Sequence, residues 1–341
     1  MFLCETFIIC CQDVAQYFWT EAWQLVKVIA PGRINVCDAR HGGFMARHIL
    51  TIRKLGEKAC WLLVQQAMGM PEAKTRTNFM TERVAVLIFA QHSLPERLCV
   101  SAAVRQLGGA VVYEGNRSVW RSELAEYREQ LMPIFSYYVD CLYTYGLPVA
   151  SWDPARIDLS FPLINAGSPD AHPAHTLADI ACMLRNSRNL GNVTCGWLGC
   201  LNGTLHSLVE ATAWFPFSLR VALPSHVDPA PLKRIVAELG TDVTFVDTPE
   251  EAVKGADYVF AGCRKGLTEE EHVRWNICSE LLSKARPHVR IMLSAPPINA
   301  IRVENDILRN NKASMLIQQS EYRLRVHKRM LHWVFLDNDD S

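Results

Sequence analysis

Pro162-Leu163-Ile164-Asn165-Ala166-Gly167-Ser168-Pro169-Asp170-Ala171-His172-Pro173-Ala174-His175-Thr176-Leu177-Ala178-Asp179 is the stretch on which the fold turns. The apolar run Phe161 to Ile164 reads as a short buried strand. Asn165 to Pro169 reads as a tight polar turn. His172-Pro173 then opens a helix, because Leu177, Ile180 and Leu184 recur at helical spacing. A proline in the first helical turn loses no hydrogen bond, since that N–H has no partner in any helix. A strand whose turn delivers a histidine to a helix N-terminus lies where an open α/β sheet binds its ligand. Taken alone, the same residues also fit a plain strand–turn–helix corner with a surface histidine.

The rest of the chain sets bounds on that reading. It has 341 residues, 49% hydrophobic and 21% charged, which suits a soluble protein of about two domains. Thirty-five basic residues balance thirty-five acidic ones, so nothing points to nucleic acid or to an acidic membrane surface as partner. No apolar run reaches the roughly 18 residues of a membrane span. The twelve cysteines are scattered, with no Cys-x-x-Cys pair and no zinc-type Cys/His spacing. Cys60, Cys141, Cys182 and Cys195 sit in apolar runs as small hydrophobes. A reduced, cytoplasmic protein without a metal is expected.

From residue 45 onward strands and helices alternate. A helix is expected over 57–68 and strands at Val84 to Phe89, Ala110 to Tyr113, Ile134 to Tyr143, Val193 to Gly199, Leu219 to Leu223, Asp242 to Val246, Asp257 to Phe260 and Val289 to Leu293. Thr248-Pro249 reads as an N-cap followed by proline at the first helical position. This alternation argues for parallel sheets covered by helices on both faces. The turn Gly199-Cys200-Leu201-Asn202-Gly203 lacks the Gly-x-Gly-x-x-Gly of a dinucleotide site.

The opening stretch also carries a family resemblance. His172-Pro173-Ala174-His175-Thr176-Leu177-Ala178-Asp179 resembles the His-Pro-x-Gln-x-Leu-x-Asp segment of the aspartate and ornithine carbamoyltransferases, with His175 in place of the glutamine. Further matches run in order from Met45 to Leu331. Ser93 and Arg97 fall on the first serine and last arginine of the family's phosphate loop, whose middle Arg-Thr is replaced by Pro95-Glu96. Lys74 to Phe79 has similar letters but precedes the strand instead of following it, and is set aside as a decoy. Trp197-Leu198-Gly199, Asn202 and Ser207 resemble the ornithine-type motif, with Cys200 for its aspartate and Gly203 for its second asparagine. Arg323 falls on an arginine of the closing helix, and His327 replaces a glutamine there.

The resemblance implies two doubly wound parallel-sheet α/β domains with a cleft between them. Residues 45–188, rejoined by the helix 319–335, would form a carbamoyl-phosphate-type domain, and residues 189–318 an amino-acid-type domain. Residues 1–44 are expected to be an added segment, disordered or introduced by a start-site error. Carbamoyl phosphate would lie against Ser93, Arg97, His172, His175 and Arg323, with His172 and Arg323 in the catalytic roles. Asn202, Ser207 and Ser294 would meet an amino-acid substrate. No cofactor is implied, and the assembly would be a homotrimer. Arg117, Arg121 and Arg128 occupy the place of a substrate-covering loop. Composition alone allows plainer roles: a helix cap for Ser93, a solvated cation for Arg97, a turn residue for Asn202.

Several of the family's ligands are missing. Pro95 supplies no N–H and Glu96 brings a like charge toward a phosphate. Tyr145 stands near the place of a further arginine, Ser294 replaces a cysteine, and Ala261 to Gly266 lacks the acid that would hold an ornithine side chain. Each lost donor of this kind costs roughly 3–4 kcal/mol of transition-state stabilisation. Two readings follow: a divergent carbamoyltransferase nearest the ornithine type, or a catalytically silent homologue kept for binding or assembly.

Overall fold

The computed structural model describes residues 46–114, 130, 132–152, 159–294, 301–310 and 312–335. The expectations for residues 1–44, for Arg117, Arg121 and Arg128, and for Ala295-Pro296 lie outside them. Residues from Ala46 onward form one compact unit that carries two sheets.

The first sheet has the order β2-β1-β3-β4, from Ala110–Glu114, Val84–Phe89, Cys141–Tyr145 and Leu163–Gly167. The second has the order β7-β6-β5-β8-β9, from Val243–Val246, Ser218–Ala222, Thr194–Leu198, Tyr258–Ala261 and Arg290–Leu293. Every strand pairing in both is parallel. A parallel sheet needs cover on both faces, and the two-residue period of the strands supplies it. In β1, Ala85, Leu87 and Phe89 enter one core while Val86 and Ile88 enter another. In the second sheet Trp197, Val221 and Phe260 face the first of these cores, and Leu198, Ala222 and Val259 face a third.

The main helices are α1 (Glu57–Met68), α2 (Leu94–Gln106), α3 (Pro173–Ser187), α4 (Gly203–Ala211), α5 (Ala230–Leu239) and α6 (Leu316–Phe335). The strand-like run Ala46 to Ile52 makes one bridge, Ile49 to Ile164 at the edge of β4, because a short helix begins at Ile52. The strand expected within Ile134 to Tyr143 begins later, at Cys141. Thr248 forms a full capping box with Glu251 ahead of Pro249, as the sequence implied.

Helix α6 ties the unit together by packing on α1, α2 and α3. Its Lys328 is almost fully buried and donates to Ala73 O (2.7 Å) and Thr75 O (2.6 Å). The decoy segment around Thr75 thus serves as an anchor for α6. The preceding residue, His327, is fully buried beside Tyr143, and neither ring nitrogen has a hydrogen-bond partner among the described residues. Burial is the main cause that pushes this imidazole down to about 4.

The unfolded chain therefore binds a proton at His327 that the folded chain refuses between about pH 6.5 and 4. Stability from this site is complete above that window and falls as pH falls through it. We predict that His327→Leu removes this acid sensitivity. The variant should gain on the wild type by ~1.4 kcal/mol per pH unit within the window in urea unfolding. Parallel pH curves for the two proteins would contradict it.

Candidate active site

In each sheet the chain reverses direction once, between β1 and β3 in the first and between β5 and β8 in the second. Loops leaving the C-terminal ends of strands at such a reversal form the binding crevice of an open α/β sheet. The residues singled out in the sequence belong to these loops, to the loops after β4 and β9, and to α6.

His172 is the N-cap of α3. Its backbone N–H donates to Ser207 Oγ of α4 (2.8 Å), so the second half of the chain fixes where the first half presents its histidine. The turn before it is held by Asn165, whose side-chain amide donates to Leu50 O (2.9 Å) and Ala171 O (3.2 Å). Gly203 opens α4 against this turn. A Cβ at Gly203 would lie 2.1 Å from Ser168 O and about 3 Å from the Ala171 backbone. No side chain fits there, which explains why glycine stands in place of the motif's asparagine.

Glu96, in the first turn of α2, is 6% exposed. Its Oε1 lies 3.7 Å from His172 Nε2 and 3.5 Å from Arg323 Nη1. Burial pushes this carboxyl up, but the contact with His172 and the charge of Arg323 outweigh it and hold the group well below the usual carboxylate range. It is an ionised acid held beside the Arg323 guanidinium. In the sequence Glu96 is an unfavourable neighbour for a phosphate; in the structure it is the counter-ion of Arg323.

His175 is 2% exposed and its Nε2 meets Leu293 O (3.1 Å), Arg323 Nη2 and Asp179 Oδ2 (3.6 Å). One nitrogen either donates to Leu293 or accepts from Arg323. Burial first, then the charges of Arg323 and His172, push His175 well below its ordinary value, so it works as a neutral ring. Asp179, fully buried, is pushed up to about 7 by the same loss of solvent. Gln319 was read only as the start of the closing helix, yet it joins three elements. It donates to Asp179 Oδ1 (2.7 Å) and Leu293 O (3.1 Å) and accepts from the Leu293 N–H (3.0 Å).

Most of the other expected residues have local partners, Ser93 being the exception. Ser93 is buried at the N-cap of α2 but makes no side-chain capping bond. Arg97 lies over the Tyr113 ring (4.7 Å), turned toward the sheet edge. Asn202 caps α4 by accepting from Leu205 N–H (3.0 Å). Ser294 is buried and donates to Ala261 O (3.1 Å). Tyr145 stacks on Phe89 (5.0 Å) and meets the edge of His172. Cys200 bonds Lys265 O (2.8 Å) and is pushed up to about 11 by burial, so it is a thiol that joins the loops after β5 and β8.

Glu96, His172 and His175 also place three donor atoms within 4.8 Å of one another. The Arg323 guanidinium in the same cluster opposes a cation there and already balances the carboxylate. Beyond this cluster a cavity of about 940 Å³ extends from Gln91 to Cys263, Arg264, Lys265, Glu269, His272 and Arg302.

With this geometry in view, comparison with known proteins is informative. Residues 47–185 match the carbamoyl-phosphate-binding domain of the aspartate/ornithine carbamoyltransferases, and residues 191–334 match their Asp/Orn-binding domain. The chain belongs to this family. The ornithine carbamoyltransferase of Nitratidesulfovibrio vulgaris is 28% identical over 304 residues, 86% of this chain and 100% of the relative. That of Mesorhizobium japonicum is 28% identical over 272 residues, 77% of this chain and 88% of the relative. Among solved structures, the ornithine carbamoyltransferase of Thermus thermophilus superposes with a TM-score of 0.75 at 22% identity (86% of this chain, 100% of that one). That of Burkholderia thailandensis gives 0.74 at 24% (85% and 99%). These two show the fold, two parallel-sheet α/β domains.

The Gln319 junction predicts that Gln319→Leu will cost about 1–3 kcal/mol for each buried polar group it strips of its partner. Urea denaturation at neutral pH would measure it, and an unchanged midpoint would show that the junction carries no stability. Gly203→Ala should also destabilise, by about 1–3 kcal/mol or more, because backbone and not a flexible side chain must yield. A thermal melt equal to that of the wild type would contradict the close approach.

Proposed function

We propose that this chain is a carbamoyltransferase with altered substrate recognition, moving a carbamoyl group to an amine acceptor. The observation that carries the reading is the convergence of His172, His175 and Arg323, from α3 and α6, at the C-terminal ends of the strands. A guanidinium and imidazoles can polarise a carbamoyl carbonyl and stabilise negative charge that develops on its oxygen. Carbamoyl phosphate is the donor that the family resemblance suggests. Arg264, Lys265 and Arg302 outnumber Glu269 around the cavity lined by the loop after β8, which favours an acceptor that carries an acidic group. This differs from the cationic side chain of ornithine.

The exposed Leu94, Leu98, Val112 and Tyr113 cluster around the start of α2 and the edge strand β2, and support the homotrimer as a self-associating edge. The eight described cysteines are free thiols, which favours a reducing, cytoplasmic setting. No helix of the described residues is long and apolar enough to cross a membrane.

A second reading, a homologue that binds without catalysing, is favoured by one observation: the carboxylate of Glu96 stands among the cations where a phosphate would need them. The test is a transfer assay. The protein is incubated with carbamoyl phosphate, or with an uncharged carbamoyl donor, and a panel of cationic, neutral and acidic amines, and ureido product is measured. We expect product with an acidic amine, abolished in His172→Ala and Arg323→Ala. No product from any pair, with folded protein, would favour the silent homologue.

A further inference from the structure

The buried acid in this cluster has a consequence for the donor. Arg323 is the cation best placed to receive an anionic ligand, and its side chain is only 15% exposed. Glu96 already neutralises it at 3.5 Å and lies 3.7 Å from His172. A dianionic phosphate entering here would meet an ionised carboxylate at close range and a guanidinium that this carboxylate already compensates. Like charges brought together in a buried site cost several kcal/mol. Two polar atoms of the pair are buried and lack hydrogen-bond partners among the described residues: Glu96 Oε2, an acceptor, and Arg323 Nε, a donor. A primary amide offers the complement, an NH₂ for the carboxylate and a carbonyl oxygen for the guanidinium.

We propose that Glu96 is a built-in anion of the donor site, which excludes dianionic phosphate and selects an uncharged carbamoyl or primary-amide group. The inference rests on the reading that the carbamoyl group sits at His172, His175 and Arg323, and it names the charge class of ligand that this site takes. Glu96 is then a specificity-determining residue. Pro95, which removes an N–H from the same turn, acts in the same direction.

The test compares the wild type with Glu96→Gln, which removes the charge, and Glu96→Ala, which also removes the bulk. Glu280→Gln, at an exposed position on the helix that precedes β9, removes the same net charge away from the site. Inorganic phosphate, carbamoyl phosphate and methyl carbamate are titrated by calorimetry, and the melting temperature is followed with each. In the wild type and in Glu280→Gln we expect methyl carbamate to bind and both phosphates to bind weakly or not at all. In both Glu96 variants phosphate affinity should rise at least about tenfold, because the Arg323 charge is released. Phosphate should also raise their melting temperatures, since an anion that binds only the folded state replaces the missing counter-ion. Methyl carbamate should be lost in Glu96→Ala.

Equal phosphate affinity in all four proteins would overturn the role of Glu96 and leave the donor site itself standing. Absence of every ligand from every folded variant would overturn both the inference and the reading of the site on which it rests. If Glu96→Ala fails to fold, Glu96→Gln alone decides the phosphate arm.

Discussion

A buried carboxylate between a guanidinium and an imidazole is the contact on which the rest of this structure depends. Glu96 begins α2, His172 begins α3, and Arg323 comes from α6. Three segments far apart in sequence therefore meet at one pair of charges. Removing water from any one of these groups alone would be costly, and their mutual contacts offset that cost only while all three stay in place. The arrangement thus specifies how the closing helix docks as well as what the crevice offers to a ligand. Gln319, four residues before Arg323 on α6, repeats the device with neutral groups, joining α3 to the end of β9.

The architecture was largely legible in the sequence, and the reason is the regularity of its signals. Parallel strands buried on both faces read as short apolar runs, and the helices between them carry proline or threonine at their starts. Elements such as Glu57–Met68 and Thr248-Pro249 follow from local rules that hold whatever the neighbours do. The misplacements are at edges. Ala46 to Ile52 has strand-like composition, but a helix competes for its last residue and leaves one bridge.

The site was legible only in part, because its identity lies in contacts across the chain. His172 and Arg323 could be marked by motif, and they do approach one cluster. Arg97 could be marked in the same way, yet its guanidinium rests on Tyr113, since a half-buried arginine with an aromatic face nearby has a partner without a ligand. Asn202 and Ser294 are bound to backbone groups. The opposite error concerns Glu96. A negative residue in a presumed phosphate loop signals a defect when the loop is read alone. Only the position of Arg323, 227 residues away along the chain, turns it into a paired ion. No spacing rule within α2 carries that information.

A fold can keep its frame when a substituted residue finds its partner inside the chain. In a crevice built to hold an anion, deletion of the cations would leave the surrounding polar groups without partners, and addition of a carboxylate keeps them satisfied. Glu96 lies against both Arg323 and His172 and gives the guanidinium a counter-charge from within the chain. The second half of the chain makes a matching adjustment. Gly203 drops a side chain that would collide with the Ser168 carbonyl, which lets α4 bring Ser207 to the His172 N–H. Cys200, a neutral thiol in place of an acid, closes the loops after β5 and β8 on each other. At Glu96, Gly203 and Cys200 the residue that departs from the motif has a contact inside the chain that its own size or charge makes possible.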